Sequence, residues 1–284
     1  MSKPPRLTLP SAARAYLLTT ERGGFAVHEA GEPVRGTALL VPGFTGSKED
    51  FIGLLEPLAA AGYRVVAVDG RGQYESPGPR EEAPYALEEL AQDVLAQVRA
   101  LGSDRVHLVG HSLGGLLSRA AVLRDPSPFA SLTLLSSGPA AITEEQQART
   151  KLLVAALEAM GGDMPAIWAA MRAYDPQDAA ADSAELAEFL RGRWVATVPE
   201  QLIVTGRVLI SEPDRVEELG RTGLPKLVLS GAVDDAWPVP LLDEMARRLG
   251  AERVVVPGTG HSPNAEDPAV TAAALAAFWD VCTG

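Results

Sequence analysis

A serine flanked by glycines is the residue best placed to do chemistry, in the string Gly110-His111-Ser112-Leu113-Gly114. The string follows an apolar strand pattern and precedes a helical one, and a tight turn in that setting presents a serine hydroxyl in strained backbone geometry. Glycine on both sides removes side chains that would collide in the turn, and the following helix points free N–H groups at developing negative charge. The pattern predicts that Ser112 is a nucleophile for acyl transfer. The alternative is a strand-to-helix turn that carries an incidental serine.

A serine hydroxyl is a poor nucleophile without an adjacent base, and the chain contains only four histidines. His28 lies in a β-rich early section, and His107 lies within a strand, where we expect it to pack or hydrogen-bond structurally. The side chain of His111, next to the serine, should point away from the serine's. His261 follows the last predicted strand, and loops at the carboxyl ends of strands form the sites of open α/β sheets. By elimination His261 is the predicted base, and a loop histidine without a role is the alternative.

An acid is expected between the serine and the histidine, because the chain order Ser–Asp–His accompanies this type of turn. The predicted strand 226–230 is followed by Asp234 and Asp235. Either carboxylate could orient the imidazole and stabilise its charged form, or could cap the loop. These residues by themselves leave the choice between the two aspartates open.

Two backbone N–H groups are needed to bind the oxyanion of such a reaction. The residue after the nucleophile, Leu113, should supply one of them, and the loop after strand 37–41 should supply the other. Pro42 in that loop has no N–H, so Phe44 is the predicted second donor. The loss of one such donor typically removes about 3–4 kcal/mol of transition-state stabilisation.

Alternating strand and helix patterns surround these candidates. Helical spacing of apolar residues recurs between short β-branched or apolar runs, which predicts an α/β fold with a mostly parallel twisted sheet flanked by helices. The predicted strands are 15–20, 25–29, 37–41, 64–68, 106–109, 131–135, 226–230 and 253–256. Ser47 begins a capping motif, and a helix with apolar residues from Phe51 to Leu58 should follow it.

The alternation stops between about residues 140 and 222, where helix patterns dominate. The predicted helices there are 152–160, 166–174, 184–190 and 200–210. We therefore predict a core of residues 1–139 and 223–284 with an inserted helical cap, or lid, of residues 140–222. Met164, Trp168 and Met171 of this block could line a substrate pocket, although methionine and aromatic residues at helical spacing more often form core.

Composition excludes several classes of protein. The chain has 284 residues, 46% of them hydrophobic, and a single cysteine, Cys282, which excludes an internal disulfide. A net charge of −12 argues against a nucleic-acid partner. No apolar run is long enough for a membrane span, and the polar N-terminus lacks the apolar region of a signal peptide, so we expect a cytoplasmic protein. No motif for a metal or a cofactor is present. Homo-oligomerisation is left open.

Five segments resemble the lid-bearing, esterase- and lipase-like group of the α/β-hydrolase superfamily. They are residues 41–47, 69–76, 110–115, 231–238 and 260–268. In that superfamily the acid lies three residues after the glycine and four before the proline of the fourth segment, which favours Asp234 over Asp235. Two positions depart from the pattern. Pro42 replaces a frequent histidine before Gly43, and Tyr74 stands where glycine is usual.

The resemblance implies a serine hydrolase that cleaves a carboxylic ester, or a related acyl bond, of a small and largely apolar substrate through an acyl-serine intermediate. Relatives that open epoxides or carbon–halogen bonds would carry aspartate where this chain has Ser112. A thioester, lactone, amide or carbon–carbon bond as substrate, perhydrolysis, and a non-catalytic ligand-binding role remain alternatives. Arg191 and Arg193 could meet a substrate carboxylate, although solvated arginines are the simpler interpretation.

Overall fold

A computed structural model describes residues 2–174 and 182–282 of the chain. Its centre is one eight-stranded sheet with the order β1-β2-β4-β3-β5-β6-β7-β8. The strands are β1 Ala13–Thr20, β2 Gly23–Ala30, β3 Gly36–Val41, β4 Tyr63–Val68, β5 Val106–His111, β6 Phe129–Leu135, β7 Lys226–Gly231 and β8 Glu252–Val256. All eight predicted strands are confirmed.

The sheet is mostly parallel, as predicted. β1 and β2 form an antiparallel hairpin that pairs antiparallel with β4, and every other neighbouring pair is parallel. The central strands are buried along nearly their whole length, which explains why they are apolar runs without alternation. The carboxyl ends of β3, β5, β7 and β8 therefore meet at one edge of the sheet, where the candidate residues follow them.

Helices cover both faces of the sheet. Those outside residues 140–222 are α1 Ile52–Ala60, α2 Leu87–Leu101, α3 Leu113–Arg124, α9 Val239–Leu249, α10 Pro263–Glu266 and α11 Pro268–Cys282. One apolar cluster, which includes Leu39, Leu108 and Leu116, lies on one side of the sheet, and a second, which includes Leu40, Leu55 and Trp279, lies on the other. The capping box at Ser47 is present, but it begins a 3₁₀ turn, Lys48–Phe51, that leads into α1.

We call residues 140–222 the helical segment. Between β6 and β7 it contains α4 Glu144–Ala159, α5 Met164–Tyr174, α6 Ala184–Ala196, α7 Pro199–Ser211 and α8 Val216–Gly220. The four predicted helices are present. Helix α4 begins at Glu144 rather than at residue 152, and the short α8 was not predicted. Within residues 2–174 and 182–282, no helix combines the length and the apolar character of a membrane span.

Candidate active site

Ser112 lies at a strained turn between β5 and α3. Its φ of 54° and ψ of −120° place it in the left-handed half of backbone space, which a residue with a side chain occupies at a cost. The flanking glycines are required by space, because a Cβ on Gly110 would lie 2.3 Å from the carbonyl oxygen of Gly114. A Cβ on Gly114 would lie equally close, 2.3 Å, to the carbonyl oxygen of Val41. The sequence therefore forces the hydroxyl-bearing residue to the tip of the turn.

Three predicted side chains are brought together at this turn. The Nε2 atom of His261 lies 3.0 Å from the Oγ atom of Ser112, and its Nδ1 atom lies 3.0 Å from both carboxylate oxygens of Asp234. Asp234 is buried and accepts hydrogen bonds from the main-chain N–H groups of Ala236 at 2.9 Å and Trp237 at 3.0 Å. The side chain of His261 is 28% exposed, so water can reach the base.

The neighbouring Asp235 is exposed and makes different contacts. Its carboxylate accepts a hydrogen bond from the side-chain amide of Gln146, and its carbonyl oxygen accepts one from the hydroxyl of Thr143. Asp234, Asp235 and His261 offer ligand atoms within 4.8 Å of one another, a grouping that could hold a metal ion. Both ring nitrogens of His261 already contact Ser112 and Asp234, so a metal would have to displace one of them.

The loop after β3, residues 42–46, approaches the nucleophile, and we call it the candidate oxyanion loop. A Cβ on Gly43 would lie 3.1 Å from the Cβ atom of Ser112, so the main chain beside Phe44 passes directly against the serine. The carbonyl oxygen of Gly43 accepts hydrogen bonds at 3.1 Å from the side chain of Gln73 and from the N–H group of Gly46. These bonds fix the loop although Pro42 replaces the usual histidine.

Comparison with known proteins decides the family. The sequence profile of the α/β hydrolase fold matches residues 38–268. The chain belongs to the α/β hydrolase fold family. A pimeloyl-[acyl-carrier protein] methyl ester esterase of Aeromonas hydrophila is 30% identical over 223 residues, which cover 75% of this chain and 83% of that protein. A Variovorax paradoxus protein named RutD is 39% identical over 111 residues, 39% of this chain and 41% of that protein.

Solved structures share the fold of this α/β hydrolase. A hydrolase from Pseudomonas aeruginosa superimposes with a TM-score of 0.76 at 24% identity, covering 93% of this chain and 98% of that one. A thermophilic esterase from Thermogutta terrifontis gives a TM-score of 0.76 at 22% identity, covering 95% of this chain and 100% of that one. At such identities the likeness establishes the fold alone.

The residues expected to line a pocket pack inside the helical segment of this hydrolase. Met164 and Trp168 are buried in an apolar cluster with Trp194, whose indole N–H donates to the carbonyl oxygen of Met164 at 2.9 Å. Met171 is partly buried against the same cluster. This packing supports the alternative that these residues form core. The ring of Phe44 contacts the cluster as well, so the candidate oxyanion loop and the helical segment touch.

Tyr74, which stands where glycine is usual, contacts both the core and the helical segment. Its φ of 41° explains why glycine is usual at this position. The tyrosine ring contacts Phe189 of α6 edge-on at 5.8 Å between ring centroids, and the Nζ atom of Lys48 lies 4.8 Å from the ring centroid. The N–H group of Tyr74 donates to the hydroxyl of Thr197 at 3.3 Å. The strained residue therefore joins the helical segment to the core.

Arg193 is neither solvated nor placed for a substrate, which corrects both sequence interpretations. It is 1% exposed, and its guanidinium lies 2.8 Å from the carboxylate of Asp50 and 3.3 Å from the hydroxyl of Ser47. It also donates to the carbonyl oxygen of Ser2 at 2.7 Å. Arg191 is exposed and lies 3.6 Å from Glu188, as expected for a surface arginine.

Lys48 lies in a buried charged cluster behind the candidate oxyanion loop. Its Nζ atom is 2.9 Å from carboxylate oxygens of Asp69 and Glu49 and 2.6 Å from one of Glu75. Burial alone would lower the pKa of Lys48, but the carboxylates of Asp69 and Glu49 hold that pKa above its ordinary value. The lysine therefore stays charged and ties the 3₁₀ turn to the loop after β4.

Two further histidines of β5 are buried and uncharged. The Nδ1 atom of His107 lies 2.8 Å from the hydroxyl of Ser131, and its ring stacks on Trp279 at 5.1 Å between centroids. Its expected structural role is confirmed, and burial lowers its pKa to about 4. His111 contacts the main chain of His261, a connection that no sequence pattern indicated. Burial, and to a smaller extent the nearby His261, lower the pKa of His111 to about 3.

Proposed function

We propose that this protein is a serine hydrolase that cleaves carboxylic esters through an acyl-serine intermediate. Ser112 is the nucleophile, His261 the general base and acid, and Asp234 the carboxylate that orients the imidazole. The main-chain N–H groups of Phe44 and Leu113 form the oxyanion hole. The observation that carries the proposal is the continuous contact from Asp234 through both nitrogens of His261 to the Ser112 hydroxyl, at 3.0 Å on each side.

The proposed reaction has two stages. In the first, His261 takes the proton of the Ser112 hydroxyl while the oxygen attacks the carbonyl carbon of the ester, and the two N–H groups bind the resulting oxyanion. The intermediate collapses to an acyl-serine as His261 gives its proton to the leaving alcohol. In the second stage His261 activates a water, which releases the acid and regenerates the serine. The exposed side of His261 gives that water access.

Two observations support an ester as the bond cleaved. The Aeromonas relative, which aligns over 83% of its length, is named for cleavage of a methyl ester. The candidate residues use no group beyond a hydroxyl, an imidazole and a carboxylate, which suffice for ester hydrolysis at neutral pH. The substrate we propose is small and largely apolar, because the candidate oxyanion loop adjoins the apolar cluster of the helical segment through Phe44.

We also propose that the helical segment forms a lid over the substrate. Its first residues contact the loop that carries Asp234. The N–H group of Thr143 donates to the carbonyl oxygen of Ala236 at 3.0 Å, and the indole N–H of Trp237 donates to the carbonyl oxygen of Ala140 at 2.9 Å. A lid joined at these points adjoins the catalytic loops and could exclude water around the acyl group.

A panel of p-nitrophenyl esters and thioesters of rising acyl length tests the reaction. We expect hydrolysis by the wild-type protein, and a loss on the order of 10⁶ in kcat for Ser112→Ala. Ser127→Ala is the matched control, because that serine is exposed and its N–H group and hydroxyl both donate to Asp125 within the same turn. A fluorophosphonate should label wild type and the control but not Ser112→Ala. Wild-type rates in Ser112→Ala would contradict the proposal, and a folded wild type without labelling or hydrolysis would favour a binding protein.

A further inference from the structure

The side chain of His111 contacts two loops whose relative position matters for the proposed reaction, the loop of His261 and the candidate oxyanion loop. Its Nε2 atom lies 2.9 Å from the carbonyl oxygen of His261, and the two imidazole rings are 5.2 Å apart between centroids. On its other side, a Cβ on Gly43 would lie 3.3 Å from the Nδ1 atom of His111. One ring on the residue before Ser112 therefore touches both the loop of the candidate base and the candidate oxyanion loop.

The hydrogen bond to His261 determines the protonation of His111. A carbonyl oxygen only accepts hydrogen bonds, so the Nε2 atom must carry a proton and act as the donor. The Nδ1 atom is buried and has no hydrogen-bond partner among the residues that the structure describes, and a proton on it would leave a buried charge unpaired. The ring is therefore neutral with its single proton on Nε2. This matters because the ring of His261 becomes positively charged in the reaction, and a second cation 5.2 Å away would oppose that charge.

The loop of His261 is held on three successive residues. Glu266 accepts the N–H groups of Gly260 at 2.6 Å and Ser262 at 3.0 Å, and His111 holds the carbonyl oxygen of the residue between them. Glu266 lies at the exposed side of the loop, whereas His111 is 3% exposed. The buried bond fixes the main chain of the residue whose imidazole must stay 3.0 Å from the serine hydroxyl.

We propose that His111 is a positioning residue for the reaction, whose neutral imidazole donates a hydrogen bond to the His261 carbonyl and keeps the base aligned with Ser112. This inference rests on the proposed function. Displacement of a reacting group by about 1 Å can lower a rate about 100-fold, so loss of this bond should lower kcat much more than it changes substrate binding.

The test compares His111→Phe, which keeps a ring without a donor, with His111→Gln, whose side-chain amide can donate in place of Nε2. We expect kcat for p-nitrophenyl acetate to fall about 10- to 100-fold in the Phe variant with little change in KM, and the Gln variant to recover most of the loss. His107→Phe is the matched control, a buried histidine of the same strand that contacts Ser131 and Trp279. Its kcat should stay near wild type. Equal losses in the Phe and Gln variants, or an unchanged kcat in a folded Phe variant, would overturn the proposal.

A nitrogen-15 spectrum of the imidazole rings separates this proposal from the proposed function, because it requires no turnover. We expect the spectrum to show His111 protonated on Nε2 only, and the His261 signals to move in His111→Phe but not in His107→Phe. Unchanged His261 signals in a folded His111→Phe variant would refute the positioning role even if esters are cleaved. Absent hydrolysis with shifted His261 signals would instead refute the esterase proposal and leave the contact in place.

Discussion

The loops at the carboxyl ends of the strands are held by hydrogen bonds to their main-chain groups. The helical segment is joined to the core by main-chain hydrogen bonds as well, from Val198 to Gly72 at 2.8 Å and from Thr143 to Ala236 at 3.0 Å, and in addition by buried ion pairs. Ser112 is fixed by its N–H bond to the carbonyl oxygen of Leu135 at 2.9 Å, and Asp234 by two N–H groups of its own loop. In the helical segment, Arg193 pairs with Asp50 of the core. Both regions therefore use main-chain hydrogen bonds, and the junction of the helical segment with the core depends on buried charges as well.

A second buried arginine, which belongs to the core, also joins the core to the helical segment. Arg119 of α3 is 1% exposed, donates to the carbonyl oxygen of Pro139, and lies 2.9 Å from the carboxylate of Glu212. Pro139 directly precedes the helical segment, and Glu212 follows its helix α7. Because removal of one partner leaves a buried charge unpaired, each arginine holds the segment more strongly than a surface ion pair could. A segment held in this way can be loosened by one substitution that leaves the catalytic loops intact.

The largest expected effect after that of Ser112→Ala distinguishes two adjacent aspartates of the core. Asp234→Asn should lower kcat for p-nitrophenyl acetate on the order of 10⁴, because an amide cannot hold and stabilise the charged imidazole as a carboxylate does. Asp235→Asn is the matched control, since its side chain is exposed and contacts Gln146. Its kcat should remain near wild type. A comparable loss in both variants would mean that the whole loop, rather than one carboxylate, supports the reaction.

Sequence predicted the core well for a physical reason. A Gly-x-Ser-x-Gly turn between a strand and a helix is a local demand of backbone geometry, so it is visible in a short string. The preference for Asp234 over Asp235 came instead from the resemblance to a family. The contacts of Arg193 and Tyr74 are different, because Arg193 meets Asp50 across 143 residues of chain and Tyr74 meets Phe189 in a helix of the other region. The spacing of apolar residues, which predicts helices and strands, does not indicate such a distant pair. The tyrosine at a position where glycine is usual was the available signal, since a side chain at a position that favours a positive φ implies a compensating contact.

The second prediction concerns the stability of the helical segment, which should fall while the strands of the core stay folded. Arg193→Met leaves the carboxylate of Asp50 buried without its cation, which should cost about 3–5 kcal/mol. Hydrogen exchange should accelerate in α6 while β5 stays protected, and urea unfolding should report the loss. Arg191→Met, which removes an exposed arginine two residues away, should change stability by less than about 1 kcal/mol. Equal effects of the two variants would show that the buried pair does not hold the segment.

The double variant Arg193→Met with Asp50→Asn sharpens that result. It removes both charges, so no unpaired ion remains buried, and part of the lost stability should return. The contrary result is a loss in free energy of unfolding in the double variant that equals the sum of the losses in the two single variants. That result would show that Arg193 and Asp50 are not coupled, and that this buried pair does not join the helical segment to the core.

Tyr74 gives the third and smaller effect, because strain and contact oppose each other there. Tyr74→Gly loses the ring contact but relieves the cost of a φ of 41°. Tyr74→Ala loses the contact and keeps the strain, so it should be less stable than the Gly variant by about 1 kcal/mol. Thermal unfolding of the three proteins measures the order. A Gly variant more stable than wild type would show that the aromatic contact is worth less than the strain it opposes.

The last prediction concerns the free energy of unfolding at low pH. We expect acid to destabilise the core, because all four histidines lie outside residues 140–222. The pKa of His107 is lowered to about 4 by burial, so between an unfolded pKa near 6.5 and that value the unfolded chain binds a proton that the folded chain does not. Stability is therefore fully present above about pH 6.5 and falls as the pH drops, by up to about 1.4 kcal/mol per pH unit for this one group. His107→Phe should remove this contribution and flatten the dependence of urea unfolding on pH. An unchanged slope would mean that the pKa of His107 is the same in the folded and the unfolded chain.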